Sequence, residues 1–73
     1  MYGRIATSSI TYAMQAKERL YDEGILCDII RLRADETPAG CAFGLEIPSR
    51  QMARAAEILT RAGIRFRQIP GKL

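Results

Sequence analysis

Two helix exits of the same design, Leu20…Gly24-Ile25 and Leu59…Gly63-Ile64, recur at an offset of 39 residues and constrain this chain more than any other feature. Glycine directly after a helical pattern takes up the left-handed backbone that ends a helix, and the apolar residue after it marks the chain turning back. At the same offset Cys27 falls opposite Phe66 and Ile30 opposite Ile69. Each half reads as strand, helix, glycine, strand. A glycine-terminated helix followed by isoleucine is common, so the echo by itself does not establish a duplication.

The parse follows from pattern and punctuation. Tyr2 to Ala6 reads as a short strand. Thr7-Ser8-Ser9 supplies capping oxygens for a helix that begins near Ile10 and runs to Gly24. Ile10, Ala13, Met14, Lys17, Leu20 and Tyr21 share helical spacing and predict its inner face. Ile25 to Arg33 is rich in β-branched and aliphatic residues and predicts a strand, followed by a loop over Ala34 to Gly40. Cys41 to Ile47 predicts a third strand. Ser49 predicts the N-cap of a second helix over Arg50 to Ala62, with Met52, Ala55, Ala56 and Leu59 inward. Ile64 to Ile69 predicts the last strand, and 70–73 a tail.

The order β-α-β-β-α-β predicts a ferredoxin-like α/β fold, a two-layer α+β sandwich: a four-stranded antiparallel sheet in the order 4-1-3-2 with both helices on one face. The expectation includes central first and third strands that run parallel to each other. That would put the start of the third strand at the sheet end away from both helix N-termini. Alternation turns Ile5, Ile25, Cys27, Ile29, Phe43, Leu45, Ile47, Ile64 and Phe66 toward the helices. It turns Tyr2, Arg4, Leu26, Asp28, Ile30, Ala42, Gly44, Glu46, Arg65 and Arg67 to the open face.

Composition narrows the function classes. Seventy-three residues with 48% hydrophobic content predict one domain, 1–73, with a small core that dimerisation would help. No apolar run approaches a membrane span and no secretory pattern opens the chain, so a cytoplasmic protein is expected. With no histidine and two cysteines 14 positions apart, no metal site and no cofactor are expected. The net charge of +3 is mild, and nucleic acid is not indicated. Nine of the eleven basic residues are arginine, which suits anion contacts.

Chemistry centres on Gly40-Cys41-Ala42-Phe43-Gly44. In a chain without histidine, Cys41 is the strongest nucleophile candidate. Cys27, mid-strand among aliphatics, reads as a small core residue. The two thiols are expected to lie roughly 20 Å apart, too far to pair. Arg31 and Arg33 on the preceding strand would favour a Cys41 thiolate by charge. Gly40 and Gly44 would leave room for a group on sulfur. Ser8-Ser9 reads as a cap, and Glu46 has no partner carboxylate at a defined spacing. The open face lacks an aromatic stacking platform for RNA. Its small residues, flanked by Leu26, Ile30 and Ile69, suit a homodimer through that face.

Two segments carry a resemblance. Ser9-Ile10-Thr11-Tyr12-Ala13-Met14-Gln15-Ala16 and Gly40-Cys41-Ala42-Phe43-Gly44-Leu45, the latter followed by a helix ending Ala62-Gly63-Ile64, resemble a selenium/sulfur carrier-like family of small domains of unknown function. The resemblance covers about residues 3 to 69. It implies that Cys41 is the carrier residue, held as a persulfide or selenosulfide. It also implies that the chain serves a sulfur- or selenium-donating protein rather than turning over a substrate. Many members have glycine after the cysteine, where this chain has Ala42. The alternative reading is a non-catalytic dimerisation or partner-binding module.

Overall fold

The computed structural model describes residues 1–33 and 43–69. Four strands and two helices follow in the expected order: β1 (Tyr2–Thr7), α1 (Ile10–Asp22), β2 (Asp28–Arg31), β3 (Phe43–Pro48), α2 (Met52–Arg61) and β4 (Arg67–Ile69). A 3-10 turn over Ser49–Gln51 leads into α2. The strands form one antiparallel sheet in the order β2-β3-β1-β4, which is 4-1-3-2 read from the other edge. The ferredoxin-like expectation holds at this level.

The relative direction of the central strands does not follow the expectation. β1 and β3 are antiparallel, with Tyr2 opposite Pro48 and Thr7 opposite Phe43. The reason lies in the connections. The helical crossover returns the chain so that β2 runs with β1, and β3 then pairs antiparallel with β2, so it opposes β1 as well. The start of β3 therefore lies beside the end of β1, which leads into α1.

Both predicted helix exits are present, with Gly24 at φ +83° and Gly63 at φ +76°. The Gly24 and Ile25 amides donate to the Tyr21 and Leu20 carbonyls, at 3.0 and 2.9 Å. Gly63 and Ile64 repeat this on Thr60 and Leu59, at 3.1 and 3.0 Å. These are paired bonds of the Schellman type. They explain why β2 and β4 are shorter than expected. Ile25 and Ile64 are buried under the helices they terminate, and the chain needs 25–27 and 64–66 to cross from the helix layer to the sheet edge.

Ser9 caps α1 by accepting a hydrogen bond from the Tyr12 amide at 3.2 Å. Ser49 makes no side-chain cap. It opens the 3-10 turn instead, and its amide donates to the Met1 carbonyl at 3.0 Å. The buried stripe of α1 is Ala13, Ala16 and Leu20. Ile10, Met14 and Tyr21, expected inside, are exposed. The alanines let the helix approach the sheet closely, and that rotates the larger side chains outward. On α2 the buried residues are Ala55, Ile58 and Leu59, with Met52 partly covered. Between the layers, Ile5, Leu45 and Ile47 pack against Leu20, Ala55 and Leu59. Burial of each large aliphatic side chain contributes roughly 1.5–3 kcal/mol.

Candidate functional site

One end of the sheet brings together a helix N-terminus and basic side chains. β1 ends there at Thr7, α1 begins there, β2 ends at Arg31 and β3 begins at Phe43. Thr7 is buried, and its hydroxyl lies 3.0 Å from the Ser9 carbonyl and 3.2 Å from the Phe43 carbonyl. One hydroxyl proton shared between these two acceptors ties the start of β3 to the cap of α1. The first turn of α1 contains no acidic residue, so the partial positive charge of the helix N-terminus is not offset within that turn.

Arginines add to this charge. The Arg31 guanidinium carbon stands 5.6 Å from the centre of the Phe43 ring, a cation–π distance. Arg31 and Arg33 are both exposed. Arg65 joins Ser8, Tyr12 and Gly63 around an open cleft where the chain leaves α2. The N-terminus of α1 thus shares this end of the sheet with Arg31 and Arg65, whereas parallel β1 and β3 would have put it at the end away from the start of β3.

Of the predicted site residues, Gly40 and Cys41 lie outside the described residues, as does Ala42. Gly44 is buried in β3, opposite Ala6 and Ile30. A β-carbon there would collide with the Ile5 carbonyl oxygen and come within 3.0 Å of Leu32 Cδ1. Close approach of β1 to β3 therefore requires glycine at this position. Leu32, just past the end of β2, is buried as well.

Cys27 belongs to the core cluster and is a free thiol. Burial pushes its pKa above the ordinary value, with the nearby Asp28 carboxylate adding to the rise and Lys17 opposing it. It is the expected core cysteine. Sequence pattern places Thr7 only in the capping run, and its tie to Phe43 spans 36 positions. Local pattern carries no signal for that bond beyond a hydroxyl placed at a strand end.

Among the described residues no group of three or more Cys, Asp or Glu side chains is placed to hold a metal ion. No described helix is long and apolar enough to cross a membrane. No curated protein and no solved structure matches the chain. A family model does: the one described as "Putative Se/S carrier protein-like" matches residues 2–70. That match spans both halves, both helix exits and the cysteine-bearing segment, and the chain belongs to this family.

Proposed function

We propose that the protein carries sulfur or selenium on Cys41, as a persulfide or selenosulfide, between a donating and an accepting protein. The family match over residues 2–70 carries this reading. The setting of Phe43, two residues after Cys41 in the sequence, supports it: the N-terminus of α1, with no acidic residue in its first turn, Arg31 and the Thr7 hydrogen bond all lie there. Positive charge of this kind favours a thiolate over a thiol and a persulfide anion over its acid. Arg31 and Arg33 supply positive charge at this end, and Gly44 allows the close β1–β3 contact beside it.

Transfer is a displacement at sulfur. The Cys41 thiolate attacks the terminal sulfur of a donor persulfide. A bond forms between Cys41 Sγ and that sulfur, the donor's S–S bond breaks, and the donor leaves as thiolate. An acceptor thiolate repeats the step on loaded Cys41. No external oxidant or reductant enters, and selenium follows the same balance.

Incubation with a cysteine desulfurase and cysteine, followed by intact-mass analysis, tests the reading. Wild-type protein is expected to gain the mass of one sulfur atom, reversibly by dithiothreitol, and Cys41→Ser to gain none. Absence of the adduct on wild type, or equal labelling of Cys41→Ser, overturns it. A second reading, a non-catalytic partner-binding module, rests on the exposed Tyr2, Tyr21 and Leu26 side chains. It predicts a Cys41 thiol that alkylates slowly at neutral pH.

A further inference from the structure

The opposite end of the sheet, where β1 begins and β3 ends, holds an open cleft of about 680 Å³ between the chain crossing into β2 and the end of β3. Three large side chains stand exposed around it: Tyr2 at 62%, Tyr21 at 65% and Leu26 at 68%. Scattered exposed apolar residues are ordinary, but three around one concavity mark a contact surface. Tyrosine is favoured at such surfaces because it offers a large, stiff apolar body with a polar tip.

The charges around the cleft are separated by wall. Lys17 of α1 and Arg50 of the 3-10 turn stand on the helix side. Asp28 and Glu46 stand on the sheet side, directly opposite each other across β2 and β3. Like charges in that register oppose pairing. Arg4, the other cross-strand neighbour of Glu46, offsets part of this. Lys17, Arg50, Asp28 and Glu46 form no ion pair among the described residues, whereas Arg54–Glu23 and Arg61–Glu57 do.

We propose that this cleft is a two-fold homodimer interface. A cleft rimmed by exposed apolar side chains, with basic groups on one side and acidic groups on the other, is complementary in charge to a rotated copy of itself. Lys17 and Arg50 of one copy meet Asp28 and Glu46 of the other, twice over, around Tyr2, Tyr21 and Leu26. A closed, isologous contact follows from that symmetry. The dimer expected through the open face thus shifts to the corner where that face meets the helix layer; Tyr2, Leu26, Asp28 and Glu46 belong to both surfaces. This interface is independent of Cys41 chemistry.

Charge reversal tests it with sedimentation equilibrium on the full chain, folding being checked by circular dichroism. Wild type is expected to be dimeric, more weakly at high salt. K17E/R50E and D28K/E46K are each expected to dissociate at least about a hundredfold more readily, because each places like charges face to face. An equimolar mixture of the two is expected to form a heterodimer, since both contacts are restored. Leu26→Asp, at an exposed position, is expected to be monomeric and serves if a double variant fails to fold. A monomeric wild type, a Leu26→Asp or folded one-sided variant that stays dimeric, or a mixture that stays monomeric overturns the proposal.

Discussion

Gly44 and Cys27 show how differently two small residues are constrained. Any side chain at Gly44 meets the Ile5 backbone oxygen, which cannot move without parting the two central strands. Gly44→Ala is therefore expected to cost roughly 3 kcal/mol, a large part of the ~4–11 kcal/mol typical of a domain this size. A denaturant midpoint unchanged from wild type would contradict that. Cys27 is constrained by solvation. Its folded-state pKa is raised, so its contribution to stability is fully present below the unfolded-state pKa near 9 and is lost as pH rises through the folded value. Wild type is thus expected to lose more stability between pH 8 and 10 than Cys27→Ala, measured as thermal midpoints of the two proteins. The core role of Cys27 is legible from its aliphatic neighbours. The constraint on Gly44 is not, because the atom that forbids a side chain lies 39 positions away in sequence.

At the scale of elements, the helix exits dominate. Gly24 and Gly63 hold left-handed backbone, and a β-carbon at either would find open space. Only backbone strain then opposes substitution. Gly24→Ala and Gly63→Ala are each expected to cost about 1–2 kcal/mol, and the double variant nearly the sum, because the two exits have no hydrogen-bond partner in common. Chemical denaturation of the two single variants and the double variant checks both magnitude and additivity. These exits were legible because a Schellman turn is local: its hydrogen bonds link residues three and five positions apart. The facing of α1 was less so. Helical spacing groups Ile10, Met14 and Tyr21 with Ala13 and Leu20, and only the sheet beneath α1 selects Ala13, Ala16 and Leu20 as the buried stripe. Strand ends shortened for a related reason, since the depth of the helix layer decides how many residues cross back to the sheet.

At the scale of the whole molecule, the antiparallel sheet sends the two helix N-termini to opposite ends. α1 begins where β3 starts, and α2 begins beside the cleft bordered by Tyr2 and Arg50. The α1 end adds Arg31 and Arg65 to its helix N-terminus, and the other end is the proposed site of the second copy. If the dimer forms, the thermal midpoint of wild type is expected to rise with protein concentration, and that of Leu26→Asp to stay constant. Scanning calorimetry across a range of concentrations checks this; a midpoint independent of concentration for wild type counts against a coupled dimer. The separation of charge across the cleft was not legible beforehand, because Asp28 and Glu46 become neighbours only through the β2–β3 register.

Read alone, the chain determines its elements, their order, the glycine exits, the buried cysteine and the family resemblance, because each rests on residues within a few positions of one another or on the alternation of a single strand. Tertiary structure decides the rest: that β3 opposes β1, that α1's N-terminus and Arg31 share the end where β3 begins, that Gly44 admits no side chain, and that two carboxylates face each other beside an apolar cleft. Each of these depends on strand direction and register. Both are set by the combined packing of four strands under two helices, and no local stretch of sequence encodes them.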